Sequence, residues 1–178
     1  MSTINGEFRT RVAYAHVQEP SKFGHFEVNI EVTPDIEEEL VKHRLDKKIK
    51  SGKDTIFDGG KYLSLRTAQV DRQGNVSKML VVDALGKLMT DLVGNGSECI
   101  VYWRAYDDKQ YGRVIKFGKM RDWDQEGKTK TFDALKVVNL VEYSKANDSF
   151  FTPLEVGAAP KPTKVTNKSR AAEFEIEA

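Results

Sequence analysis

The stretch "ECIVYWRAY" (98–106) carries the residue types best suited to hold a ligand. As a strand it sets Cys99, Val101, Trp103 and Ala105 on one face and Ile100, Tyr102, Arg104 and Tyr106 on the other, because successive side chains alternate. The first set suits a core. The second offers two aromatic faces with a guanidinium between them. A tyrosine ring can stack on an unpaired nucleobase, worth about 1–3 kcal/mol per base, while arginine meets phosphate or stacks. The next twenty positions interleave Lys109, Tyr111, Arg113, Lys116, Phe117, Lys119, Arg121 and Trp123. Upstream, "KYLSLR" (61–66) puts Tyr62 and Arg66 on one face. The run "KHRLDKKIKSGK" (42–53) reads mainly as a solvated helix face, leaving Lys50 and Lys53 near its end as binding candidates. The candidate nucleic-acid-binding set is therefore Tyr102, Arg104, Tyr106, Tyr111, Arg113, Lys116, Tyr62, Arg66, Lys50 and Lys53. Packing and solvation alone also favour aromatic and basic residues on strands.

Catalytic constellations are sparse. No G-x-x-x-x-G-K-[ST] loop occurs, since Gly86-Lys87 lacks the earlier glycine, and H-E-x-x-H, paired C-x-x-C and G-x-S-x-G are missing too. His16, His25 and His43 are the three histidines. His16 and His25 could meet across neighbouring strands with Cys99 as a third metal ligand, but a metal site needs ligand number and geometry together, and surface histidines are the plainer reading. Asp35 with Glu38 or Glu39 has the flavour of a metal-dependent nuclease, yet a helix start favours acids there anyway. No catalytic residue, metal or cofactor is expected.

Strands must position these residues. "FRTRVAYAHV" (8–17) and "HFEVNIEV" (25–32) alternate, the second cleanly, with Phe26, Val28, Ile30 and Val32 on one side. A helix is expected over about 33–51. Thr33 is a good N-cap, Pro34 suits the first helical position, acids lead and bases trail. Ile36, Leu40, Val41, Leu45 and Ile49 form its apolar stripe, and Gly52 can end it. Further extended segments fall at 58–70, 76–82, 98–106, 113–120 and 131–143. Turns lie at "DRQGN" (71–75) and "GNGS" (94–97). "DALGKLMTDLV" (83–93) is ambiguous, with a short helix as one reading. The pattern is mainly β with one helix, and fits an OB-fold-like, five-stranded Greek-key barrel.

The 178 residues suit one domain with appendages. With 39% hydrophobic residues there is enough for a core, and no apolar run reaches the roughly 18 residues of a membrane span. The N-terminus has no apolar h-region, so no secretory signal is expected. Cys99 is the single cysteine, which fits a reducing compartment. Net charge is only +1, so any nucleic-acid binding must use local patches. Patterning stops after Tyr143. Residues 145–170 have linker composition, basic toward their end at Lys161, Lys164, Lys168 and Arg170. Residues 171–178, "AAEFEIEA", form an acidic-apolar tip of Glu173, Phe174, Glu175, Ile176 and Glu177.

At "LVGNGSECIVYW" (92–103) and "LKVVNLVEYS" (135–144) the chain resembles the single-stranded DNA-binding proteins of short-tailed bacteriophages. The resemblance rests on Gly94, Asn95, Gly96 and Ser97, and on Val137, Leu140, Val141, Glu142 and Tyr143. "VTPDIEEEL" (32–40) and "VVDALGKLM" (81–89) are similar in placement. It implies an OB-fold body over 1–144 that binds single-stranded DNA without sequence preference and without catalysis. It implies roles in phage DNA replication and recombination in the cytoplasm of the infected host, and a disordered acidic tail that recruits the phage polymerase and helicase-primase. Homodimers are implied as well. The alternative from another class is a non-catalytic protein-interaction or virion-structural β-domain. Stacking alone also leaves RNA open as a ligand.

Overall fold

The computed structural model describes residues 2–51, 57 and 60–142. Lys53, Gly52, Tyr143, the linker and the acidic tip, Glu173 to Glu177, lie outside the described residues. The elements are β1 (Ile4–His16), β2 (His25–Glu31), α1 (Pro34–Lys42), a 3-10 turn at Asp46–Lys48, β3 (Lys50–Ser51), β4 (Lys61–Ala68), β5 (Val76–Val82), β6 (Glu98–Asp108), β7 (Gly112–Phe117), β8 (Lys119–Asp124) and β9 (Thr129–Asn139). Strands follow the order β3-β4-β2-β1-β6-β9-β5, with β7 added to β6 and β8 to β9. Only β5 and β9 pair in parallel. The ends of this order meet where β4 turns into β5: Val70 bridges Val76, and the Ser77 N–H donates to the Gln69 carbonyl at 2.8 Å. The result is a curled, OB-like sheet with one helix.

Among the described residues there are nine strands, against seven extended segments expected in a five-stranded OB-like class. The expected segments become β1, β2, β4, β5, β6, β7 and β9, and β3 and β8 are additional. The segment read as one strand over 113–120 is broken at Gly118, and its last residues start a hairpin, β8 with β9. β1 serves two pairings. Ile4–Arg11 lies along β6 and Val12–His16 along β2, with the register shifting after Ala13, where Tyr14 takes φ 53°. That bulge bends the strand and carries the sheet around the core.

Alternation delivers the core. On β2, Phe26, Val28 and Ile30 are buried, and on β6, Cys99, Val101, Trp103 and Ala105. Trp103 is 1% exposed and stacks on Phe8 with ring centroids 5.3 Å apart. Its indole lies directly over Gly6, its partner across β1 and β6. Burying a ring of this size stabilises by roughly 3 kcal/mol, and only a residue without a β-carbon leaves it that room.

The helix starts as expected but ends nine residues early, at Lys42. Arg44 takes the left-handed conformation (φ 62°), its N–H bonds the Val41 carbonyl at 3.0 Å, and the Leu45 N–H bonds the Leu40 carbonyl at 2.7 Å. That is a Schellman ending without glycine. Burial of both Leu40 and Leu45 rewards the turn, whereas Val41, placed in the stripe, is exposed. The 83–93 segment is a loop. Asp83 Oδ1 accepts the N–H groups of Leu85 and Lys87, each at 2.9 Å, and competes with helical bonding.

The two sequence segments behind the phage resemblance meet in space. The Gly94 N–H donates to the Val141 carbonyl, the Val141 N–H to Ser97 Oγ, both at 2.8 Å, and Val93 bridges Glu142. Asn95 Oδ1 accepts the Tyr14 N–H at 2.7 Å and so ties the turn to the β1 bulge. These motifs are scaffolding.

Gly6→Ala places a β-carbon 2.3 Å from Trp103 Cζ2. It is expected to lower stability by about 1–3 kcal/mol through overpacking, read from urea unfolding. An unchanged midpoint would show that the indole has room to move.

Candidate nucleic-acid interface

One edge of β6 takes two partners. Glu98–Val101 pairs with β9 and Trp103–Asp108 with β7. The chain leaves β6 as β7, turns at Gly118 (φ 93°), and joins β9 as β8. A β-carbon on Gly118 would sit 3.0 Å from that of Phe132. Arg104 braces this fork. Its Nη1 donates to the carbonyls of Phe117 at 2.6 Å and Gly118 at 2.9 Å, and its guanidinium carbon stands 4.3 Å from the Phe132 ring centroid. Burial pushes the guanidinium down to about 10, with Tyr106 pulling the other way. Arg104 is thus committed to the protein's own backbone.

Lys116 lies directly across β7 from Arg104. Desolvation, then the Arg104 charge, hold its ammonium below the ordinary lysine value; Asp108 opposes this, while Arg66 and Arg72 add to it. Four cations from β4, the β4–β5 turn, β6 and β7 therefore converge. Among the described residues, no hydrogen bond or ion pair holds Arg66, Arg72 or Lys116. Glu27 sits across β2 from Arg66 without bonding it. Tyr106, half-buried, shares the face of Arg104 two residues along β6.

The other candidates scatter around this cluster. Lys50 lies opposite Tyr62 on the outer face of β4, and Arg66 follows four residues along, about 13 Å away. Tyr111 is exposed at the tip of the β6–β7 hairpin, which Asp108 Oδ1 caps by accepting the Gln110 and Tyr111 N–H groups. Arg113 turns away: its Nε donates to the His43 carbonyl at 3.0 Å, and Asp107 lies 3.5 Å from its Nη1. Tyr102 is half-buried, and desolvation, then the charges of Glu7 and Asp133, push its hydroxyl up. That neighbourhood suits an anion poorly.

Arg72 was invisible in the sequence, where "DRQGN" reads only as a turn. Asp71 places it. The Asp71 carboxylate accepts the N–H groups of Gln73 and Asn75 at 2.9 and 2.8 Å, the Asn75 amide at 3.1 Å and Lys130 Nζ at 3.1 Å. Desolvation pushes this carboxyl up, but those bonds outweigh it and hold it at about 2. The turn is thereby pinned beside β9.

Cys99, His16 and His25 do not assemble a metal site. Cys99 is fully buried, with burial and then Glu98 pushing its thiol to about 12. No group of three His, Cys, Asp or Glu suited to a metal occurs among the described residues. None of the described helices is long and apolar enough to cross a membrane.

No protein-family model matches this chain, and no curated protein does. Solved structures do. Gp2.5, a single-stranded DNA-binding protein encoded by bacteriophage T7, aligns with a TM-score of 0.50 at 16% identity, over 89% of this chain and 100% of that one. The single-stranded DNA-binding protein of bacteriophage Enc34 aligns with a TM-score of 0.48 at 11% identity, over 80% and 84% of the two chains. The same protein in complex with single-stranded DNA gives 0.46 at 12%, over 79% and 88%. The T7 likeness is one of fold: this chain has the architecture of a phage single-stranded DNA-binding protein.

Two outcomes follow from the braces. Arg104→Lys replaces a planar fork with a point charge, so stability should fall by about 1–3 kcal/mol as a carbonyl loses its donor; an unchanged melting temperature would refute the brace. Asp71, held at about 2 against an ordinary 3.8, stabilises the fold above that ordinary value and loses this as pH falls toward 2. Asp71→Asn should flatten the acid limb of a stability–pH profile, and an identical limb would count against the turn's role.

Proposed function

We propose that this protein binds single-stranded DNA without sequence preference, with phosphates on Arg66, Arg72 and Lys116 and bases on Tyr106 and Tyr111. The observation that carries the reading is the gathering of Arg66, Arg72 and Lys116, which no described acid bonds, around the fork that Arg104 braces; desolvation first and then the neighbouring cations lower Lys116. Phosphate relieves that repulsion, and counterion release supplies affinity. The T7 protein of like fold is a single-stranded DNA-binding protein, which supports the reading. Lys50 and Tyr62 continue the path along β4, Lys53 is proposed as a further contact, and Tyr102, Arg104 and Arg113 support the face from its flank.

The protein acts without catalysis, coating and protecting exposed strands in phage DNA replication and recombination in the host cytoplasm. Residues 145–170 serve as a linker from the 1–144 body to the tip. Glu173, Phe174, Glu175, Ile176 and Glu177 recruit the phage polymerase and helicase-primase, and the body forms homodimers. A protein-interaction domain is the second reading, favoured by the exposure of Leu85 and Leu88 at 84% and 70%. Large homo-oligomers that ignore every oligonucleotide would decide for it.

Titrating labelled oligo-dT at rising salt tests the binding reading. Affinity should fall linearly on a log–log plot, and Arg66→Gln, Arg72→Gln and Lys116→Gln should each lessen the slope by about 0.7. A salt-independent affinity, or equal affinity for duplex, would sink it. Because Lys116 sits below the ordinary lysine value, it loses its charge at lower pH than an ordinary lysine. Affinity should therefore weaken on the alkaline side, and Lys116→Arg should hold it to higher pH. Identical alkaline profiles would remove Lys116 from the site.

A further inference from the structure

The two tryptophans have opposite fates. Trp103 is sealed in the core, whereas Trp123 on β8 is 44% exposed. The hairpin that carries Trp123 buries none of its β8 side chains. A large apolar ring left at a solvent-facing edge does nothing for the core. Its position, however, is fixed. Trp123 lies directly across from Lys130, whose Nζ stands 4.9 Å from its ring centroid and 3.1 Å from Asp71 Oδ2. The ring is thus held by a cation that is itself anchored to the turn carrying Arg72.

This ring stands beside the turn that carries Arg72. Lys130 and Phe132 are two residues apart on β9 and share a face, about 6–7 Å along the strand. Phe132 carries the Arg104 guanidinium, and Arg104 faces Lys116 across β6 and β7. Phe132 is itself buried, so the link from the exposed ring to the unbonded cations passes through Lys130 and Asp71 to the turn that presents Arg72. Phosphates alone do not distinguish one strand from two. An exposed indole does, since the bases of a duplex already stack on each other and offer no free face.

We propose that Trp123 is a base-stacking residue that makes this surface select single strands over duplex, beside the turn that presents Arg72. The proposal rests on the single-stranded DNA reading above and adds the residue that supplies its specificity. Lys130 positions the ring. Stacking of an unpaired base leaves the Lys130–Asp71 pair intact.

The full-length chain tests this with two readouts in one titration: anisotropy of a labelled oligo-dT, which reports binding, and tryptophan emission. Trp103 is buried, so emission changes report Trp123. Wild type should show emission quenched in step with the rise in anisotropy. Trp123→Phe should bind nearly as well with the quenching lost. Trp123→Ala should bind oligo-dT roughly tenfold more weakly while its weaker duplex binding stays unchanged. Since Trp123 is exposed on a hairpin, circular dichroism should match wild type for both variants, and the wild-type quenching stands as a test if either misfolds. Anisotropy without quenching, or Trp123→Ala binding oligo-dT as wild type does, overturns the stacking role and leaves the broader reading intact. Equal loss for single strand and duplex overturns the selectivity. No rise in anisotropy with any oligonucleotide overturns the single-stranded DNA reading itself.

Discussion

Arg104 holds apart two strands that the sheet would otherwise have to pair or leave open. Where β6 and β9 diverge, their facing edges expose backbone groups that need partners. The β7–β8 segment enters that gap and satisfies both edges in turn, but it must change partner at Gly118. The carbonyls of Phe117 and Gly118 at that change bond Arg104 instead. A buried carbonyl without a donor costs about 1–3 kcal/mol, so one guanidinium answering that of Gly118 and sharing that of Phe117 with the Thr67 hydroxyl, with Phe132 beneath it, braces the fork. The placement of both hairpins depends on it, while the β1 bulge curls the sheet.

The same brace shapes the electrostatics of the face. With Arg104 held in place, Lys116 opposite it cannot avoid a like charge, and Arg66 and Arg72 add to the strain. Proteins usually pair buried or half-buried cations. Here the acids nearby are occupied elsewhere or merely close: Asp71 bonds Lys130, Glu31 bonds Arg11, and Glu27 leaves Arg66 alone. The cations that remain form a surface whose energy improves when an anion arrives. That logic makes the β4–β5 turn a binding element, since Asp71, kept ionised by its hydrogen bonds and Lys130, fixes the backbone that presents Arg72.

Much of the fold was legible because it depends on local periodicity. The alternation in 25–32 and 98–106 marks both strands and their buried faces, and Thr33-Pro34 marks the helix start. The helix end was not legible. Arg44 takes a conformation usually left to glycine, and only the burial of Leu45 against the barrel repays it. The break at Gly118 was equally hidden, since "RVIKFGKM" reads as one strand until β9 is present to claim its second half. Asp83 similarly captures the N–H groups that a helix over 83–93 would have needed.

For the candidate face, the sequence by itself determined which side chains on β6 leave the core, since alternation at period two separates Tyr102, Arg104 and Tyr106 from Trp103. It also determined that charge had to act locally, because the net charge is near zero. Only the tertiary structure decided what each outward residue meets. It turned Arg113 to the His43 carbonyl, committed Arg104 to the fork, set Tyr102 beside Glu7 and Asp133, and brought Arg72 from a turn to Lys116. The physical reason is that direction along a strand is a local property, whereas desolvation and pairing of a charge depend on strands far apart in the chain that meet only when the sheet curls.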